Sequence, residues 1–199
     1  MTTHIILLFA LLASPLPFWE SKPAHDWTDL EISTMLHDSP WARPAVAQGI
    51  VSNPGIQTYL SSALPIQEAE AEVRRRRQIR NRPTGPVETD EYLEFLKLQK
   101  GDSIVLTVNF PDPIQLSNAA EATRMEEECF LKIGRKKYKM TGHFPPTPDD
   151  PYLRLVFPRV IGPKDKILEF DLYLPGAPDP YRIAEYVIKE LIYKGKLQI

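Results

Sequence analysis

One cysteine, Cys129, stands in a chain of 199 residues, which excludes an intrachain disulfide and any multi-cysteine zinc site. Histidine is also scarce, with 4 residues, and no HExxH or comparable spacing brings two of them together as ligands. A large excess of either charge is missing too: a net charge of −2 and a pI near 6.1 give no global field that would draw the chain to nucleic acid or an anionic membrane. No apolar run is long enough to span a bilayer. No GxSxG elbow, Walker loop, dinucleotide fingerprint or internal repeat is present.

Proline is what the chain has in excess: 20 residues, roughly twice the average usage of about 5%. Proline removes a ladder donor and is excluded from element interiors, so this usage implies many turns and strand ends and a β-rich body. The apolar run IILLFALLA, residues 5–13, has the length of a signal-peptide core, and residues 1–22 are assigned as a signal peptide. No Lys or Arg precedes the run and no small-x-small cleavage site follows it; the alternative is a short buried segment in a cytoplasmic protein.

Beyond that leader, residues 23–82 are expected to be a helical N-terminal region and residues 87–199 a β-rich domain. Thr28 and Glu31 have capping-box spacing, Leu30, Met35 and Leu36 suggest an apolar face, and Ser39-Pro40 ends the helix. Trp27 and Trp41 bracket it. A turn at Asn53-Pro54-Gly55 precedes an extended segment, and Pro65 suits the first turn of a helix from Ile66 to about Arg82. In EAEAEVRRRRQIRNR, residues 68–82, Glu70–Arg74 and Glu72–Arg76 stand four apart with the acid first, so the arginines are accounted for as a solvated helix end. Arg82-Pro83-Thr84-Gly85-Pro86 reads as a linker, Thr89 as the cap of a helix ending at Lys100-Gly101, and Asn118 with Glu121 as the cap of a short helix through Met125.

The rest alternates. Residues 103–110, the hairpin 129–140 turning at Gly134-Arg135, YLRLVFP and KILEFDLYL read as strands, the last with Leu168, Phe170, Leu172 and Leu174 inward and Glu169, Asp171 and Tyr173 outward. The residues of 181–199 fit a helical stripe and a pair of strands equally.

Five short stretches, WTDLEISTMLHDSPWA (27–42), SSALPIQEA (61–69), FPR (157–159), DKILEF (165–170) and YKGKLQI (193–199), together resemble a family of exported bacterial proteins labelled by a GWxTD-type domain. Here HDWTD (25–29) replaces the signature glycine. The resemblance implies export and paired strands, Arg182 to about Ile188 and Leu191 to Ile199. It carries over no catalytic residue.

His25-Asp26 and His37-Asp38 are separated by a helix start, and Asp149 and Asp150 near His143 lie in an Asp-Asp-Pro turn, so no metal site is assigned. Cys129 shares a strand face with Leu131 and Ile133, as a buried small hydrophobe does, and Glu126, Glu127 and Glu128 read as a solvated edge. The expected fold is α+β, a helical N-terminal segment followed by an antiparallel β-sandwich-like body. The expected function is a non-catalytic exported module that binds an envelope protein or polymer, with no cofactor, no nucleic acid and no stable membrane span. The alternative is a hydrolase whose site is assembled from scattered residues. Candidate partner contacts are Trp27, Trp41, Arg74, Arg75, Arg76 and Arg77, with loops 145–151 and 175–180 beside them.

Overall fold

The computed structural model describes residues 16–49, 55–81, 91–99, 101–109, 118–147 and 150–199. The apolar run 5–13, the Asn53-Pro54 turn, the Pro83–Pro86 linker, the Thr89 cap, Lys100 and Asp149 lie outside the described residues. The elements follow in chain order as α1 (Phe18–Ser21), α2 (Asp29–His37), β1 (Ala42–Ala47), β2 (Ile56–Leu60), α3 (Leu64–Asn81), α4 (Glu91–Gln99), β3 (Ser103–Val108) and α5 (Ala119–Glu128). Then come β4 (Phe130–Ile133), β5 (Lys136–Lys139), β6 (Gly142–Phe144), β7 (Leu153–Pro158), β8 (Ile167–Tyr173), β9 (Tyr181–Val187), β10 (Ile192–Tyr193) and β11 (Lys196–Leu197). Among the described residues no helix is long and apolar enough to cross a membrane.

The α+β class holds; nine of the described strands form one continuous antiparallel sheet, and β10 and β11 pair only with each other. The order of the nine-stranded sheet is β5-β4-β8-β9-β1-β2-β3-β7-β6. The sheet curls. β8 and β7 stand five strand spacings apart in that order, roughly 24 Å if flat, yet the Phe157 and Phe170 rings meet at 5.2 Å. Met140 and Thr141 carry the chain from one edge to the other, because β5 pairs with β4 and β6 pairs with β7. Their amides bond Cys129 O at 3.2 Å and Val156 O at 2.8 Å. β1 is the opposite corner: Ala42–Ala45 pair with β2, and Val46 and Ala47 pair with β9. Pro44 lies in the half of β1 that β9 leaves unpaired, which reconciles a proline with a central position in the sheet.

Inside the curl, Leu153, Leu155 and Phe157 of β7 face Leu168, Phe170 and Leu172 of β8, all buried as the alternation requires. The other face of β3 and β7 is buried as well: Val105, Thr107, Arg154 and Val156 lie under helices rather than water. Tyr173 is a further departure from the period-two expectation. It is 4% exposed because α5 covers it, with the Arg124 guanidinium 4.3 Å above its ring.

The N-terminal helix forms as its cap dictates. Thr28 Oγ1 accepts from the Glu31 N–H at 3.2 Å, and Glu31 Oε2 accepts from the Thr28 N–H at 2.7 Å. Its buried stripe is Ile32 and Met35; Leu30, expected on that face, is 76% exposed because five residues at 100° each carry it away from Met35. Trp27 and Trp41 are 1% and 0% exposed, so they hold the helix to the body and offer no surface to a partner in this conformation. Trp41 Nε1 donates to Gln198 O at 2.9 Å, tying α2 to the C-terminus, and its ring meets Tyr193 edge-on.

Residues 181–199 resolve as strands about a 3-10 turn at Ile188–Glu190, but the two expected stretches do not pair with each other. β9 pairs along its whole length with β8, and β10–β11 form a hairpin whose two turn residues, Lys194 and Gly195, have φ of 49° and 73°. That is the positive-φ pair a type I′ turn needs. The β4–β5 hairpin turns at Gly134-Arg135 as its sequence predicts.

Trp41→Ala is expected to cost about 3–5 kcal/mol and Thr28→Ala about 1 kcal/mol in urea unfolding, with Leu30→Ala close to neutral. A Leu30 effect as large as that of Trp41 would contradict this placement of α2.

Candidate functional site

Strand register builds the site. Tyr59 of β2 stands opposite Thr107 of β3, and Thr107 opposite Arg154 of β7, so the three share one row on the helix-covered face. Arg154 is 2% exposed. Its Nη1 donates to Glu70 Oε1 and to Thr107 Oγ1, each at 2.9 Å; its Nε and Nη2 donate to the two carboxylate oxygens of Asp150 at 3.0 and 3.3 Å. The Tyr92 ring of α4 lies 3.9 Å from the guanidinium carbon. Tyr59 Oη donates to the same Glu70 Oε1 at 3.0 Å, and the Thr107 hydroxyl donates to Ser61 Oγ at 2.7 Å.

A buried guanidinium is tolerated only when its donors are met, since desolvation costs several kcal/mol per ion. Here they are met by two carboxylates and a hydroxyl. Burial alone would lower the Arg154 pKa, but Glu70, Tyr92, Tyr59 and Asp150 outweigh it and hold the group charged. Burial and the charge of Glu70 push the Tyr59 phenol well up, which keeps it a neutral donor.

The three glutamates of α3 diverge from the helix. Glu68 accepts from Tyr193 Oη at 2.7 Å, Glu70 reaches the sheet, and Glu72 takes Arg75 and Arg76 at 2.6 Å each. Both expected pairs are present, Glu70–Arg74 at 3.7 Å and Glu72–Arg76 at 2.6 Å. The expectation of a solvated basic end holds for Arg75 and Arg77, which are exposed, while Arg74 and Arg76 are half-buried and Glu70 and Glu72 are each 5% exposed. Arg75, then Arg76, lower the Glu72 carboxyl to about 2. Arg76 also bonds Asp29 and the Trp27 carbonyl, so it fastens α2 to α3 and is spent on the scaffold.

Other candidates are committed elsewhere. Burial pushes the Cys129 thiol up to about 12, outweighing the Tyr173 N–H that donates to its sulfur at 3.3 Å, so no thiolate forms near neutral pH. Asp150 accepts from Arg154, while His143 faces Glu126 at 3.4 Å. His25 lies 3.4 Å from Asp26, while His37 Nδ1 stands 2.8 Å from Ser33 O on a different element. Glu128 is bonded to Arg124 and to Tyr181 Oη.

Above the anchor lies a pocket of about 70 Å³ lined by Glu70, Arg74, Arg77, Asp150, Tyr152 and Arg154 among others. Two of the four candidate arginines are thereby brought together with Asp150 and Pro151 of the loop 145–151. Arg75 and Arg76 are outside the lining, the tryptophans are in the core, and the 175–180 loop joins the scaffold through Arg182, which donates to Pro178 O at 2.7 Å. Sequence reasoning missed Arg154, Tyr59, Tyr92 and Thr107, and placed Glu70 only in its pair with Arg74. The one available signal was an arginine set among apolar residues in YLRLVFP.

No family model, curated protein or solved structure matches the chain.

Removing one partner of a buried, bonded charge pair costs about 3–5 kcal/mol. Arg154→Met and Glu70→Leu are each expected to lose that much in urea unfolding, and the double variant clearly less than their sum. Additive losses, or single losses under 1 kcal/mol, would contradict the anchor.

Acid gives a separate check. The folded Glu72 carboxyl sits at about 2 against an ordinary 4.5, so its contribution is complete above 4.5 and is lost as pH falls toward 2. Stability is expected to decline across that window less steeply in Glu72→Gln than in the wild type. Equal slopes would contradict the pairing.

Proposed function

We propose that the protein is a non-catalytic binding module, exported to the cell envelope, which engages an envelope polymer or protein through α3 and the loop 145–151. The observation that carries this reading is the convergence of Arg74, Arg77, Asp150 and Tyr152 on one pocket above a fixed floor. Partner-facing groups sit on a helix end and a loop, and the anchor beneath them holds both elements to the sheet. The curled sheet serves as the sandwich-like scaffold. The GWxTD-like patches support export.

Catalysis is not favoured by the same geometry. The two carboxylates of the pocket, Glu70 and Asp150, both bond Arg154. Neither is released to act as a general acid while the other acts as a base.

The test is an affinity pull-down of the tagged full-length protein from its native host, beside the Arg74→Gln/Arg77→Gln double variant, with mass spectrometry of bait and partners. A bait beginning near residue 20, with an envelope partner retained by the wild type and lost by the variant, is expected. A cytoplasmic bait with Met1 intact would contradict export, and partner retention indifferent to the variant would contradict the contact surface.

A further inference from the structure

The pocket above Arg154 is small. Sites for whole small molecules run to about 300–1,000 Å³, whereas this one holds about 70 Å³. At roughly 30 Å³ per water-sized group, it has room for about two such groups. It suits the tip of a larger ligand, not a whole one.

Its polar atoms are unevenly satisfied. Glu70 is 5% exposed and lines the pocket. Oε1 accepts from Arg154 and Tyr59, but the buried Oε2 accepts no hydrogen bond among the described residues. A buried acceptor in this state carries a standing cost that a donor from a ligand removes. Arg74 Nη1 lies 3.7 Å from the carboxylate, an ion-pair distance too long for a hydrogen bond between them. An acceptor and a donor therefore stand side by side at the pocket.

Charge narrows the ligand. Glu70 and Asp150 are set against Arg74, Arg77 and Arg154. An ammonium group would meet three guanidinium groups, and a phosphate would meet two carboxylates. A neutral group that both donates and accepts is repelled by neither set, and the hydroxyl is that group. Two adjacent hydroxyls match the adjacent acceptor and donor as well as the volume. Half-buried Tyr152, its ring 6.1 Å from that of Tyr59, adds an apolar face beside them.

We propose that this pocket takes the vicinal-diol edge of a saccharide, one hydroxyl donating to Glu70 Oε2 and its neighbour accepting from Arg74. The proposal rests on the pocket being the binding site, and it specifies the envelope partner as a glycan.

The experiment is a titration of the full chain with the methyl glycosides of mannose, galactose and glucose and with 2,3-dideoxy analogues, followed by saturation-transfer NMR and by the arginine side-chain resonances. Glycine and inorganic phosphate serve as zwitterion and anion probes. At least one intact glycoside is expected to bind in the millimolar range and to shift Arg74. Its dideoxy analogue and the Arg74→Gln variant should bind at least tenfold more weakly, and Arg75→Gln, outside the lining, should bind as the wild type does. Glu70→Gln repeats the test at the carboxylate, while Arg74, on the rim, keeps the test independent of any folding defect there. Arg74-dependent binding of phosphate or glycine with no glycoside binding would overturn the diol and leave the pocket as the binding site. No response to any probe, with partner retention unaffected by Arg74→Gln, would overturn both.

Discussion

A guanidinium taken out of water is the constraint around which this protein is arranged. Arg154 sits on β7, whose Leu153, Leu155 and Phe157 fill the inside of the curl, so one strand belongs to the apolar core on one face and to a polar anchor on the other. Every bond that makes burial of the charge tolerable comes from a different place: Glu70 from α3, Thr107 from β3, Asp150 from the preceding loop, with the Tyr92 ring of α4 beneath. A buried ion pair contributes little net stability against a well-packed apolar substitute. What it does here is select one rotation of α3, since only that rotation brings Glu70 over the sheet.

With α3 fixed, the N-terminal elements follow. Glu72 orients Arg76, and Arg76 grips Asp29 and the Trp27 carbonyl at the start of α2. α2 in turn leads into Trp41, which bonds Gln198 near the end of the chain. The same helix delivers Arg74 and Arg77 to the rim of the pocket. Scaffold groups and pocket-lining groups thus come from one run of alternating acids followed by bases, the acids turned inward and part of the basic set left outward.

Local features were legible in the sequence because their causes are local. The Thr28–Glu31 box, the Gly134-Arg135 turn and the inward set of β8 each depend on neighbours a few residues away. The anchor was not legible, because Glu70 and Arg154 lie 84 residues apart and meet only through the register of β2, β3 and β7. Alternation placed Tyr173 on the face opposite the inward leucines, but it contains no information about the helix that covers that face. The segment 181–199 was ambiguous because β-branched and aromatic residues at helical spacing satisfy both periods, and its outcome as strands follows from pairing with β8. Trp27 and Trp41, open to either role in sequence, are core residues since each indole finds a backbone acceptor inside the fold.

The most direct measurement of the central claim is the solvent exchange of the Arg154 side-chain N–H protons by nitrogen-15 NMR of the intact protein. A caged guanidinium bonded to Glu70, Thr107 and Asp150 gives a distinct Nε–H resonance, protected from exchange and far slower than that of exposed Arg75. Exchange of Arg154 as fast as that of Arg75 would show the charge open to water and contradict the account.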